Sequence, residues 1–293
     1  MLKVSRDTPI FAMSAQNTPV LHVEPGAQIQ FETWDALHGQ VRTEDGGLAG
    51  LDMSRVNPAT GPVYVNGAEA GDILSVKIDK IEVEDSGFAA CGPGMGVMGK
   101  VLQKGVTKIV PVKGDMAHYS DKIQIPLSKM VGVLGVAPAP KDGETPCGVP
   151  GPHGGNLDCK EVKEGVTVLL PVSVPGALLA MGDIHAVMGD GEVSITGLEI
   201  GGVITVTVDV IKGKNLPLPM LLNDSTVMTL ASDVDLDVAV EVAVANMIEY
   251  LTKAEGFAVE DAVMLTSLVA DVRICQVVNP LKTVRVEFPR GYA

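Results

Sequence analysis

Short β-branched segments recur from Gln28 to Ile211: QIQFETWD, GPVYVNG, DILSVKIDKIEV, TKIVPVKG, DKIQIPL, VTVLLPVSV, EVSITGLEI and VITVTVDVI, with Gly, Pro or Asp between them. Val, Ile and Thr pack well on a pleated surface, and runs this short and interrupted do not sustain a helix. The chain is 46% hydrophobic but only 3% aromatic, so Val, Ile, Leu, Ala and Met must fill the interior. A mainly β fold is therefore expected over residues 1–215. The alternation in DILSVKIDKIEV is only partial, which points to an edge or half-covered strand. The uncharged run from Gly165 to Gly182 has almost the length of a membrane-spanning helix, but Pro171 and Pro175 break it. A buried strand, a turn and a second strand fit it better. At 293 residues the chain can bury a large core without disulfides or a structural metal.

From Leu216 the texture changes. LPLPMLLND reads as a proline-bearing connector, and DVDLDVAVEVAVANMIEYLTKAEG repeats apolar residues at Leu236, Val240, Val244, Met247, Ile248 and Leu251. That spacing predicts a helix capped near Ser232 or Asp233 and ended by Gly256. A second helix is expected from about Glu260, then a strand over Arg273 to Val277 and a closing strand in KTVRVEFP. Residues 216–293 are read as an α+β subdomain.

The formal charge of -14 repels a phosphate backbone, which argues against nucleic acid as a partner. Cys91, Cys147, Cys159 and Cys275 form no CxxC pair and no dense framework, in keeping with free thiols in a reducing compartment. MLKVSRDTPIFAMS has no charged segment leading into a long apolar one, so the expected location is cytoplasmic, with no membrane partner.

CGPGMGVMGK places Gly94, Gly96 and Gly99 at dinucleotide-loop spacing, but the VLQKGVTKIVPV that follows is strand-like. A long hairpin turn or a mobile lid over Gly92–Gly99, with Met95 and Met98 as its apolar face, is expected instead. PGPHGGNLDCKE concentrates His153, Asn156, Asp158, Cys159, Lys160 and Glu161 around paired glycines, whose φ freedom lets a turn aim an imidazole and a carboxylate into one cavity. GDIHAVMGDGEVSI places Asp183, His185, Asp190 and Glu192 at the end of an apolar run. In FETWDALHG, Glu32 and Asp35 point to opposite faces of an extended chain, and Asp35 is favoured for the site; Trp34 and His38 are read as packing residues.

FETWDALHGQ, NPATGPVYVNGAEAGDILSV, MVGVLGVAPA, PGPHGGNLDCK, LPVSVPGALLAMGDIHAVMGDGEV and VRICQVVNP follow one another along nearly the whole chain. Through these blocks the sequence resembles the acetamidase/formamidase family, in its compact acetamidase-like branch. The resemblance implies hydrolysis of formamide or acetamide to ammonia and the carboxylate. It also implies a mainly β, jelly-roll-like sandwich with a barrel-like insertion and an α+β C-terminal part, and a metal-associated homodimer or larger homo-oligomer.

An unactivated amide needs a polarised carbonyl, an activated water and a proton for the departing nitrogen. The expectation is a divalent metal, zinc with calcium as the alternative, held by Asp35, His153 and His185. Glu192 would carry the proton, Asp158 would orient a histidine or join the ligands, Asn156 would hydrogen-bond the amide, and Asp190 would stand behind them. Substrates this small call for a small pocket walled by Val, Met or Gly. Two rivals stay open: a metal-independent amidase using Cys159, and a non-enzymatic cation-binding β-sandwich.

Overall fold

The computed structural model describes residues 1–44, 48 and 50–292. Two large sheets face each other. The nine-stranded sheet runs, in spatial order, Leu2–Val4, Gln28–Thr33, Gly202–Ile211, Ile73–Val83, Thr167–Pro171, Met220–Leu222, Thr226–Asp233, Lys282–Pro289 and Asp271–Gln276. The eleven-stranded sheet follows the path Gln124–Pro126, Met116–His118, Val106–Lys113, Ser86–Cys91, Glu199–Ile200, Leu179–His185, Met130–Gly135 and Gly154–Asn156, with Ala59–Val65 branching from Leu179–His185 and carrying Pro9–Ile10 and Leu21–Val23. Among the described residues neither sheet closes into a barrel, and the fold is a β-sandwich with a C-terminal helical part.

Alternation explains how the sheets meet. Gln28–Thr33 buries Ile29, Phe31 and Thr33 and leaves the residues between them more open. Ile29, Phe31, Ile78 and Ile204 from one sheet share a core with Val63, Val131, Leu134, Met181 and Ile184 from the other. Each such fully buried aliphatic or aromatic side chain contributes about 1.5–3 kcal/mol relative to exposure. Of the two readings expected at 72–83, the edge strand is corrected and the half-covered one holds: Ile73–Val83 pairs with Gly202–Ile211 on one side and Thr167–Pro171 on the other, and Lys77, Lys80 and Glu82 stay exposed on its open face. Its Leu74, Val76, Ile78 and Ile81 are what the sandwich core selects.

The Gly165–Gly182 run forms the strand Thr167–Pro171, a turn, and the start of Leu179–His185, as its prolines require. Among the described residues no helix is long and apolar enough to cross a membrane. The Gly92–Gly99 loop joins Ser86–Cys91 to Val106–Lys113 as a hairpin; with no helix after it, the pyrophosphate geometry is missing.

In the C-terminal part, helix α1 (Leu236–Lys253) and helix α2 (Val259–Val269) cover the strands Thr226–Asp233 and Lys282–Pro289, burying Met247, Leu251, Val284, Val286 and Phe288 in a second cluster. The α1 cap is Asp235, whose side chain accepts from the Asp237 backbone N–H at 2.9 Å, a contact worth about 1 kcal/mol. Ser232 and Asp233 do not cap, because both are still paired with Thr283 and Lys282 in the sheet.

Candidate functional site

The strand Leu179–His185 is buried along its whole length, since it pairs with Met130–Gly135 on one side and with Ala59–Val65 and Glu199–Ile200 on the other. Its polar end is therefore delivered into the interior. His185 stands opposite Glu199 in register, with Nε2 3.1 Å from Oε1. The same Nε2 lies 3.5 Å from Asp183 Oδ1 and 3.9 Å from Asp158 Oδ1. Gly132 sits against these carboxylates: a Cβ there would come within 2.5 Å of Asp158 Oδ1 and 2.7 Å of Asp183 Oδ2. Glycine alone leaves them room.

Three of the acidic residues hold left-handed backbone, with φ of 40° at Asp158, 57° at Asp183 and 43° at Glu192. Each such non-glycine conformation costs on the order of 1–3 kcal/mol and survives only where the surroundings enforce it, most often at functional sites. The side chains gain little within the protein. Asp158 Oδ1, Asp183 Oδ1, both His185 ring nitrogens, Glu192 Oε2 and Glu199 Oε2 are all buried without a hydrogen-bond partner; the 3.1 Å approach to Glu199 lacks hydrogen-bond alignment. Unpaired buried charge is expensive, and the titration behaviour reflects it. Burial and then the Asp158 carboxylate push Glu192 up to about 11. Burial also raises Glu199 to about 8 and, together with Asp183, raises Asp158 to about 6. Burial opposes the charge on His185, yet Glu199 and Asp183 hold it well above its ordinary value.

Such a set suits a cation. Two donor groups have their ligand atoms within 4.8 Å of one another: Asp158, Asp183 and His185, and His185, Glu192 and Glu199. Around them, Asn279 Nδ2 donates to Asp158 Oδ2 at 2.6 Å and to the Asn156 carbonyl at 3.1 Å, and Asn57 Nδ2 donates to Asp183 Oδ2 at 3.4 Å. Asp158, Asp183, Glu192 and Glu199 line one part of a cavity of about 380 Å³, with Asn57, Asn156 and Asn279. The remaining wall is largely apolar, including Leu37, Leu51, Val56, Phe88, Met95 and Ile195. The small pocket expected from the sequence is thus corrected to a roomy one, because Leu37, Leu51, Met53, Val56 and the Met95 turn add a broad apolar side.

Of the residues singled out in the sequence, Asp158, His185, Glu192 and Asn156 come together here. Asp35 and His153 belong to neither donor group. Asp35 spends one carboxylate oxygen on the backbone N–H groups of Leu37 and Gly39, at 2.9 and 3.1 Å, with Arg42 4.0 Å from the other. It lines a small cleft of about 50 Å³ on which Glu199 also borders. His153 is buried over its own turn, close enough to Gly155 that a Cβ there would lie 2.9 Å from Nε2. Burial lowers it to about 4, leaving the imidazole neutral. Asp190 faces Arg285, bound at 2.6 and 2.9 Å, and Lys160 at 2.9 Å. Cys159 is fully buried in the main core beside Cys275 and does not line the cavity.

The sequence reading left Asp183 without a role and passed over Glu199, Asn57 and Asn279. Asp183 was detectable, two residues before His185 on one strand. Glu199, Asn57 and Asn279 reach the site only through strand pairing and chain return, with no local signature.

The comparisons with known proteins agree with this fold. The model of the acetamidase/formamidase family matches residues 16–145 and 142–290. An acetamidase from Bacillus halodurans, solved by crystallography, is 44% identical, with a TM-score of 0.97 over 99% of this chain and 98% of its own. A predicted acetamidase/formamidase from Thermoanaerobacter tengcongensis is 43% identical, with a TM-score of 0.96 over 99% and 96%. Among curated relatives, an acetamidase of Mycolicibacterium smegmatis is 28% identical over 65% of this chain and 63% of its own length. A putative formamidase of Schizosaccharomyces pombe is 26% identical over 65% and 61%. The chain thus spans about three fifths of the length of those two curated relatives. With the family model covering almost all of it and solved relatives superposing from end to end, the chain belongs to the acetamidase/formamidase family.

Proposed function

We propose that this chain hydrolyses primary amides, formamide and acetamide among them, to ammonia and the carboxylate, with water activated at a divalent metal. One observation carries the reading: a buried His and four carboxylates border the cavity or stand just behind it, with ligand atoms that have no partner within the protein. Asp158, Asp183 and His185 would hold the metal. A mixed N/O set of three protein donors favours zinc; calcium, which wants six to eight oxygens, would have to draw on Glu192, Glu199 and the asparagines as well. When bound, the metal supplies Lewis acidity for the amide carbonyl and for the attacking water.

The rest falls to the chain. Glu192 faces the cavity and takes a proton from the attacking water, then returns it to the departing nitrogen. Asn156 Oδ1, buried without a partner, accepts a hydrogen bond from the amide NH₂ and orients it. Asn279 holds Asp158 in place. The reading includes a homodimer or larger homo-oligomer, supported by Val272 and Ile274, which stay exposed on the sheet's edge strand Asp271–Gln276 beside exposed Leu268.

The test is ammonia release from formamide, acetamide and propionamide by metal-analysed protein before and after chelation, with Glu192→Gln alongside. Activity that tracks bound metal and falls with Glu192→Gln supports the reading. Activity indifferent to both and lost in Cys159→Ala replaces it with thiol chemistry.

A further inference from the structure

We infer that the cavity selects primary amides with a larger apolar acyl group, of about six carbons or carrying a phenyl ring, over formamide and acetamide. This rests on the amide-hydrolysis reading above and names its substrate class. The cavity holds about 380 Å³. Acetamide has four non-hydrogen atoms and, at roughly 25 Å³ for each by comparison with liquid water, takes up on the order of 100 Å³. Most of the space would stay unfilled by the small substrates, and a volume of this size is typical of sites for much larger ligands.

The walls say what fills it. Beyond the carboxylates and asparagines, the cavity is bounded by side chains such as Leu37, Leu51, Val56, Phe88 and Met95. Water is held poorly there, since it needs two to four polar partners. An alkyl or aryl group gains the burial instead, about fourfold in binding for each methylene removed from water. No Lys or Arg is among the described residues that line the cavity, while four carboxylates do, so an acyl chain ending in its own carboxylate is rejected. The polar end takes the amide, and the apolar wall takes the rest of the molecule.

The experiment is kcat/KM for ammonia release from acetamide, hexanamide, phenylacetamide and adipamic acid, with metal-loaded protein and the variant Val56→Phe. Hexanamide and phenylacetamide are expected to exceed acetamide by at least about tenfold, well inside the limit set by four buried methylenes, and adipamic acid to fall below hexanamide by a similar factor. Val56→Phe, which narrows the apolar end, is expected to lower the hexanamide-to-acetamide ratio about tenfold. Acetamide turned over as well as or better than hexanamide overturns the inference and leaves amide hydrolysis standing. Equal turnover of adipamic acid and hexanamide also overturns it, because the apolar wall would then not be selecting. If none of the four releases ammonia, the amidase reading falls and this inference with it.

Discussion

Asp190 and Glu192 stand two residues apart in one turn, and their surroundings differ in kind. Asp190 meets the fully buried Arg285 through both oxygens and Lys160 through one, and these cations hold its carboxyl below the ordinary value although burial opposes them. Glu192 turns into the cavity, where Asp158 and Glu199 are its neighbours and burial pushes it far up. Where the chain supplies its own cation, the carboxylate ties the turn to the C-terminal strands, assisted by the Gly191 N–H donating to the Cys275 carbonyl at 2.9 Å. Where it supplies only His185, four carboxylates crowd around a single imidazole. One turn therefore holds an anchored carboxylate and one turned into the cavity.

The comparison breaks most decisively at the proposed ligands. Asp183→Asn is expected to lower metal affinity, measured by competition with a chelating dye, by more than about a hundredfold, beyond the 10–100-fold typical of outer partners, and to remove amidase activity. Retained affinity would mean that Asp183 is no ligand. Asp190→Ala leaves the buried Arg285 with Glu287, at 2.6 Å, as its remaining carboxylate and is expected to cost about 2 kcal/mol in urea unfolding, the range of hydrogen bonds to a charged group, while the metal affinity of the folded protein is kept. A loss of metal without a loss of stability would reverse the assigned roles. Asn279→Ala removes the 2.6 Å hydrogen bond to Asp158 and is expected to weaken metal binding by roughly 10–100-fold. Asp35→Asn and His153→Asn are expected to change metal affinity least, by less than about threefold, since neither joins a donor group and outer partners themselves cost only 10–100-fold. A hundredfold loss in either would restore the ligand set expected from the sequence.

The legibility of the site follows the same physical division. His185 and Glu192 were readable because an apolar run ending in a glycine-framed acidic turn implies a buried strand opening at a pocket rim. Asp158 and Asn156 were readable because paired glycines mark a turn that can point inward. Asp35 and His153 carried equally suggestive local chemistry, yet one caps the turn that follows it and the other is covered by its own turn. Local polarity shows that a residue can act; it does not give direction. Cavity size was misjudged for a related reason, since the walls come from Leu37, Leu51, Val56, Phe88, Met95 and Ile195, residues that share no local pattern.

By itself the sequence determined the mainly β character, the two C-terminal helices and the rejection of a nucleotide loop, because alternation, helical period and Gly/Pro punctuation are short-range physical constraints. It also singled out the turns at 153–158 and 185–192, from which Asp158, His185 and Glu192 reach the two buried donor groups. The tertiary structure alone decided which carboxylates lack a counter-charge. That depends on whether Arg285, ninety-five residues from Asp190, or mainly other acids around His185 come to lie opposite, and strand pairing across the sandwich sets the answer.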